Sequence, residues 1–463
     1  MISLKLSQIA NALNGRLVGD ELTIDNVSTD TRAIGKGDLF VALKGLRFDA
    51  HEFAGQAVSD GAVALVVDHE LDLPVPQIVV TDTRIALGDL GALVRRSVNP
   101  QVVAITGSTG KTTVKEMTAA ILAEQGQVLA TQGNFNNDIG VPLTLLRLTE
   151  DDQFAVIELG ANHIGEIAYT VGLTAPDVAV ITNAGASHLE GFGSLHGVVR
   201  AKGEILNGIE QGGNAVLNFD SPDLAYWQGR CGEHPVLGFS IDKPDATVFA
   251  TDIDFDNEGR ASFILNLPAQ QAQVHLTVPG EHNVSNAMAA AAACYGLGID
   301  AQTIANGLGH MTSVKGRLNV YHPSDDIRLI DDTYNANEAS VKAAIKLLAR
   351  YPGEKVLVLG DMKELGAQAK ELHEGVGVFA QQQGISALYA VGELSGCAAG
   401  RHSNGHHFND KARLVDALRE LLNQGRPTTV LVKGSRSSNM DKVVADLLQR
   451  LEQEKEMIGV AGC

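Results

Sequence analysis

The segment that most constrains this chain is the apolar run Val102-Val103-Ala104-Ile105-Thr106, which opens into Gly107-Ser108-Thr109-Gly110-Lys111-Thr112-Thr113 and then into a helical pattern. A strand, a glycine-rich loop, Lys-Thr and a helix make a phosphate cradle. The glycines let backbone N–H groups converge on phosphate oxygens, and the helix start adds partial positive charge. On this reading Gly107, Ser108, Thr109, Gly110, Lys111, Thr112 and Thr113 surround the phosphates of ATP. Lys111 would neutralise the β- and γ-phosphates, and the Thr112 hydroxyl would meet Mg²⁺. The loop is shorter than the strict pattern, because Ile105 stands where a first glycine is expected. A GTPase would also carry Asn-Lys-x-Asp for guanine, and that tetrapeptide does not occur.

A strand feeding such a loop predicts an α/β architecture, and 463 residues suggest about three domains. Residues 1–82 read as a small α/β unit with buried strands at Val63–Val67 and Ile78–Val80. A helical pattern over Ile85–Val98 leads into the second segment, 83–313. There, strands at Val102–Thr106, Phe154–Glu158, Val178–Thr182 and Asn214–Asn218 alternate with helices, which implies a parallel sheet covered on both faces. Thr247–Val278 instead alternates apolar and polar residues about an Asn257-Glu258-Gly259 turn, an antiparallel extension. In 314–463, Ile327–Ile330, Val356–Leu359, Leu388–Val391 and Val430–Val432 read as a second doubly wound sheet, with ligands expected at the strand C-terminal ends. The last dozen residues read as a fraying tail.

A net charge of −19 argues against nucleic acid as the main partner, since phosphate-backbone contacts need clustered Lys and Arg. The four cysteines, Cys231, Cys294, Cys397 and Cys463, are widely spaced without a CxxC pair, which fits reduced thiols in a cytoplasmic protein. Met1–Ser7 lacks the basic and apolar regions of a signal peptide. The longest apolar run, Ala287–Tyr295, falls well short of the roughly twenty residues a membrane span needs. A cytoplasmic monomer without a membrane span is expected.

Further motifs follow the loop in a fixed order. They are Asn134-Phe135-Asn136-Asn137-Asp138-Ile139-Gly140-Val141-Pro142, Glu158-Leu159-Gly160-Ala161, Thr182-Asn183-Ala184-Gly185-Ala186-Ser187-His188, Lys202-Gly203-Glu204, Gly280-Glu281-His282-Asn283-Val284-Ser285-Asn286 and Gly316-Arg317-Leu318. In this order they resemble the Mur ligases, the ATP-dependent amide-forming enzymes of bacterial cell-wall precursor synthesis, over essentially the whole chain. The resemblance implies a UDP-substrate-binding domain (1–82), a central P-loop ATPase-like domain (83–313) and a Rossmann-like C-terminal domain (314–463) for the incoming amine. Ser28-Thr29-Asp30-Thr31-Arg32, Gly37–Gly45 and Asp49-Ala50-His51 resemble the uridine-binding domain of the two later-acting members. Asp332-Thr333-Tyr334-Asn335-Ala336-Asn337, Gly360–Gly366 and Lys433-Gly434-Ser435-Arg436 resemble the member that adds a dipeptide. The Asp-Asn-Pro-Arg of the member acting before it is absent. The substrates implied are UDP-N-acetylmuramoyl-tripeptide and D-alanyl-D-alanine, the alternative being addition of the third amino acid to UDP-N-acetylmuramoyl-dipeptide. Glu338 stands where the family usually has proline.

Carried onto this chain, the resemblance implies roles. Lys111, Glu158, His188 and Lys202 are catalytic, with Glu158 and His188 as Mg²⁺ ligands and Lys202 carbamylated by CO₂. An ammonium beside Mg²⁺ would be repelled, whereas a carbamate supplies oxygen donors. Its formation needs the neutral amine, and burial with nearby cations would lower the lysine pKa from about 10.4 towards neutrality. Asn283 and Asn286, three residues apart on one helix face, would contact the nucleotide, while N-capping by Asn283 or Ser285 is the competing reading. Arg317 would reach the ATP phosphates from the domain junction, with Asp332 as its C-terminal-domain partner, both of them in contact with the nucleotide. Ser28, Thr31, Arg32, Gly45, Asp49 and His51 would meet the UDP portion. Asn134, Asn137, Tyr334, Asn335, Asn337, Lys433 and Arg436 would face the peptide substrates, Lys433 and Arg436 through carboxylates. His402, His406 and His407 lack a carboxylate or cysteine at ligand spacing and are not read as a metal site.

Overall fold

The computed structural model describes residues 1–45, 48–185 and 189–461. The central sheet has six strands in the order Val236–Phe239, Asn214–Asn218, Val178–Ile181, Gln101–Thr106, Asp152–Glu158 and Gln127–Ala130. Every pairing in it is parallel. The inner strands are covered on both faces and so read as unbroken apolar runs, with Val102–Ile105 and Val178–Ile181 fully buried. The two edge strands carry Gln127 or Gly238 instead, and the apolar pattern did not separate them. The phosphate loop leaves the strand Gln101–Thr106, whose neighbours on the two sides come later in the chain, Asp152–Glu158 and Val178–Ile181. That is the switch point where open α/β sheets hold ligands.

The expected antiparallel extension has three strands, Phe249–Phe255, Arg260–Leu267 and Gln270–Pro279. Its first turn closes through Gly259 N–H to Asp256 O at 2.9 Å, with Gly259 at φ 72°. Between this sheet and the central one lies the helix His282–Gly296, whose small Ala287–Ala293 face is buried against both. The helix Ala301–His310 crosses the phosphate-loop helix Lys111–Ala123 so closely that a Cβ on Gly307 would sit 2.3 Å from Ile121 Cα.

The N-terminal sheet runs Arg16–Val18, Gln77–Val79, Ala64–Val67, Leu39–Val41 and Val27–Ser28, parallel except at its first pair. It connects to the central sheet through the helix Thr83–Val98, which Asp82 caps by accepting from Arg84 N and Ile85 N. The buried face of that helix, including Leu87, Leu90 and Val94, joins one apolar cluster that runs from Leu4 and Ile24 through Ile78 to Val102, Ile181, Leu217 and Cys231. The core is therefore continuous across residue 82.

The C-terminal sheet runs Asn319–Ser324, Ile327–Asp332, Thr428–Lys433, Glu354–Gly360, Ala387–Val391 and Gly405–Phe408, parallel except for its first pair. The closing helix, Asp441–Ala461, stays helical where a fraying tail was expected. Leu447 and Leu451 anchor it in the core, and Glu452, Gln453 and Glu454 beyond them favour helix. The C-terminal unit rests on the tip of the antiparallel sheet. Arg328 Nη2 donates to Glu258 Oε1 (2.7 Å), Tyr351 Oη to Glu258 O (2.8 Å), and the Arg350 guanidinium lies 4.2 Å from the Phe255 ring centre. Among the described residues no helix is long and apolar enough to cross a membrane.

The Gly307 crossing gives a stability test. Gly307→Ala forces the helix away from the Ile121 backbone, and overpacking of this kind costs about 1–3 kcal/mol. Chemical denaturation should show that loss, accompanied by weaker nucleotide binding because the helix pressed on at Ile121, Lys111–Ala123, follows directly on the phosphate loop.

Candidate active site

Two glycines give the phosphate loop its shape. Gly107 has φ 152° and a Cβ there would lie 1.9 Å from Thr182 Oγ1; Gly110 has φ 80° and faces Asn286 Oδ1. Lys111 Nζ reaches back across the loop to Gly107 O at 2.8 Å. The segment after the strand Val178–Ile181 holds the loop from the side. The Asn183 carboxamide accepts from Thr109 N (2.9 Å) and donates to Thr109 O (3.1 Å). Thr182 Oγ1 also donates to Thr109 O, and Ser108 Oγ accepts from Gly185 N. Thr113 is half-buried beside them.

Glu158 ends its strand in a buried position, where its own N–H donates to Thr131 Oγ1 at 3.0 Å. Its Oε2 accepts from Thr112 Oγ1 and its Oε1 from Asn136 Nδ2, both at 2.8 Å. Thr131 is itself pinned by Lys115, a buried ammonium that donates to Thr131 O at 2.6 Å. Arg317 arrives from the linker before the C-terminal sheet. Its Nη2 donates to Thr112 Oγ1 at 2.8 Å, and its guanidinium stacks 4.3 Å from the Tyr334 ring centre. Its Nε is buried without a hydrogen-bond partner among the described residues, a donor held ready for an anion. Burial pushes the Lys111 pKa down, with Glu158 opposing and Arg317 assisting.

Lys202 lies on the helix Leu195–Gly203, which Ser194 caps and which Trp227 pins by donating Nε1–H to Val199 O at 3.1 Å. The lysine is 1% exposed. Burial and then the charge of Lys111 press its pKa down to about 7, against the pull of Glu204 and Glu158. Glu204 holds the neighbouring helix start by accepting from Gly165 N and Ala168 N. His188 lies outside the described residues.

The structure thus gathers Lys111, Thr112, Glu158 and Arg317 directly, and it sets Asn286 against the loop. Asn283 does not cap its helix; it donates back to Pro279 O and accepts from Asn286 Nδ2. Other expected side chains are committed within the fold. Asn337 caps the helix Glu338–Arg350 through Ser340 N, and Asn137 Oδ1 accepts from Gly140 N. Asn134 is exposed, Asn335 Oδ1 accepts from Ala336 N, and exposed Arg436 lies 3.7 Å from Asp441. Lys433, expected to hold a substrate carboxylate, is 3% exposed, with its ammonium on the Asp332 carboxylate and Asn335 O. Glu338 opens its helix and pairs with Lys342 at 2.6 Å, which serves a first helical position about as well as proline would.

In the N-terminal unit, Ser28 ends the strand Val27–Ser28, and Thr31, Arg32, Gly45, Asp49 and His51 lie beyond the C-terminal ends of that strand and of its parallel neighbour Leu39–Val41. Asp30 holds exposed Arg32 at 2.6 Å, and Lys44 lies 3.3 Å from Asp49. His51 is buried, meeting Asp49 through Nδ1 at 2.6 Å and accepting from Asp68 N through Nε2, so it shapes this edge and offers no free nitrogen. His402 and His407 are likewise spent on backbone carbonyls, Ile385 O and Gly392 O.

Two residues here were missed by the sequence reading, Asn136 and Asn183. Asn183 carried a usable signal, since it follows directly on a buried strand end. Asn136 lies in the 134–142 motif, but nothing local singled it out, because its partner Glu158 is distant in the chain, at the end of a strand.

A phosphate loop at a sheet switch point, sealed by an arginine from a second α/β unit and flanked by a buried carboxylate and a buried lysine, defines a nucleotide-using enzyme that works at a domain junction. Three family models match in succession: the Mur ligase family catalytic domain at 23–106, the Mur ligase middle domain at 105–294, and the Mur ligase glutamate ligase domain at 316–436. The chain belongs to the Mur ligase family. It is 49% identical to the UDP-N-acetylmuramoyl-tripeptide–D-alanyl-D-alanine ligase of Escherichia coli K12, over 96% of this chain and 99% of that one. The enzyme of the same name from Haemophilus influenzae is 45% identical, over 98% and 100%. A crystal structure of MurF from Acinetobacter baumannii superposes with a TM-score of 0.92 at 38% identity, covering 97% of this chain and 99% of that one. MurF ligase from Thermotoga maritima in complex with ADP superposes with a TM-score of 0.83 at 29% identity, over 93% and 98%.

Asn183→Ala frees the Thr109 N–H and leaves Thr109 O to the Thr182 hydroxyl alone. A hydrogen bond lost at a preorganised loop is worth about 1.4 kcal/mol, so ADP should bind about tenfold more weakly by calorimetry, with little change in thermal stability.

Proposed function

We propose that this chain is the ATP-dependent, ADP-forming ligase that joins D-alanyl-D-alanine to UDP-N-acetylmuramoyl-tripeptide in peptidoglycan precursor synthesis. The observation that carries this reading is end-to-end identity of 49% with the Escherichia coli ligase of that name. The ADP complex of the Thermotoga maritima relative supports ATP as the nucleotide.

The terminal carboxylate of the tripeptide takes the γ-phosphoryl group, the dipeptide amine attacks the acyl phosphate, and phosphate leaves as the amide forms. In such a reaction the protein mainly positions groups and neutralises charge. Lys111 and Arg317 supply the positive charge around the phosphates, and Asn183 holds the loop that cradles them. Thr112 and Glu158 fit Mg²⁺: both are oxygen donors, set side by side at the mouth of the phosphate loop, and would hold the ion there. Bound there, the ion would neutralise charge on the transferring phosphate. A neutral Lys202 amine, available at a pKa of about 7, suits carbamylation. The edge bearing Ser28, Thr31, Arg32 and Asp49 is the seat for the UDP portion. Cysteines without disulfide partners, Cys231, Cys294 and Cys397, support a cytoplasmic setting, and the chain is read as a monomer.

The experiment is phosphate release with ATP, Mg²⁺, UDP-linked tripeptide and a panel of amino acids and dipeptides. Turnover should require a D-alanyl-D-alanine-type dipeptide, and efficient use of diaminopimelate with the UDP-linked dipeptide would overturn the assignment. Lys111→Ala should lower ligation by about 100-fold or more while UDP-substrate binding persists.

Carbamylation needs the unprotonated amine, whose fraction grows as pH rises through about 7. The ¹³C NMR signal of a carbamate formed from labelled bicarbonate should therefore strengthen between pH 6 and 8 and vanish in Lys202→Ala. A signal absent at pH 8 in the unsubstituted protein would exclude the carbamate.

A further inference from the structure

Lys433 is a buried cation that the reaction as described leaves without a task. Its Nζ lies 2.5 Å from Asp332 Oδ2, 3.5 Å from Asp332 O and 3.0 Å from Asn335 O. The two short contacts turn the ammonium inward, away from any substrate carboxylate in solvent. The two residues end adjacent parallel strands, Ile327–Asp332 and Thr428–Lys433, and are register partners there. The turn that follows Asp332 carries Tyr334, which donates its N–H to Gly316 O and supports Arg317 from below. Asp332 thus sits between a lysine that cannot leave it and the linker whose arginine touches the phosphate loop.

We propose that Lys433 is a positioning residue, which fixes the Asp332 carboxylate and the turn Asp332–Asn335 at the seam of the central and C-terminal sheets, so that Asp332 meets the bound nucleotide as an anion. The inference rests on the reading of Asp332 as a nucleotide contact. The groups that face this carboxylate are Lys433 from the neighbouring strand, Arg317 from the linker and Asp331 beside it, while His282 of the central domain faces Lys433. Burial raises the Asp332 pKa, and Lys433 is the main influence that lowers it. Without that cation the carboxyl would take up a proton at higher pH.

The test is calorimetric ADP binding by the full chain from pH 5.5 to 8.5. Lys433→Gln keeps a donor for the turn and removes the charge. The pH at which ADP affinity falls should move up by about 1 unit or more relative to the unsubstituted protein, since an opposite charge at contact shifts a carboxyl by about 1–3. Lys433→Arg should leave the profile in place. Asp332→Asn should weaken ADP binding at every pH without a new pH dependence. An unshifted profile in Lys433→Gln, with Asp332→Asn impaired, overturns the role of Lys433 alone. Normal ADP binding by Asp332→Asn overturns the reading of Asp332 and the inference with it. Should Lys433→Gln fail to fold, the ¹³C chemical shift of the Asp332 carboxyl in the unsubstituted, ADP-bound protein decides: ionised at pH 6 supports the proposal, protonated at pH 7.5 overturns it.

Discussion

The Thr112 hydroxyl is the joint on which this molecule turns. It has one proton, which it gives to Glu158, so it can only accept from Arg317. One oxygen thereby ties the phosphate-loop helix, the end of a neighbouring strand and the linker to the C-terminal sheet. Each partner is held a second time: Glu158 by Asn136 and Thr131, Arg317 by the Tyr334 ring. Side chains fixed twice over lose little freedom when substrate arrives, the condition under which electrostatic groups act most strongly.

How much of this was legible in the sequence depends on whether the signal was local. The central strands announced themselves because both faces are covered and the apolar run is unbroken, whereas Gln127–Ala130 and Val236–Phe239 are edges and left no such run. The phosphate loop was legible for the same reason: its glycines, lysine and threonine act within one turn of chain. Pairings across the sheet were not. Nothing local says that Asn136 meets Glu158, or that Asn183 holds both backbone groups of Thr109. Resemblance to a family supplied motifs, and the geometry then separated side chains that point into the site from those that build it.

That separation is clearest among the asparagines and lysines. Asn137 and Asn337 spend their carboxamide oxygens on helix starts, and Asn283 ties the start of its own helix back to Pro279. Lys115 and Lys433 are buried and committed to backbone carbonyls and carboxylates, while Lys111 folds onto its own loop, where a phosphate can draw it away. A buried lysine tied to both a carboxylate and a backbone carbonyl is a rigid part, and one resting on a single carbonyl is available.

The apolar cluster that crosses residue 82 has a consequence for how the chain is made. Its members run from Leu4 to Cys231, so the N-terminal sheet cannot complete its core until about half of the polypeptide has left the ribosome. The C-terminal clusters, from Leu318 to Leu451, draw only on the remaining half. Synthesis thus falls into successive closures of different character, with a second cluster of the central sheet, from Val103, complete only at Met311. In the first, a partly exposed apolar surface waits for distant partners, the circumstance in which nascent chains lean on chaperones; the last draws entirely on residues still to come.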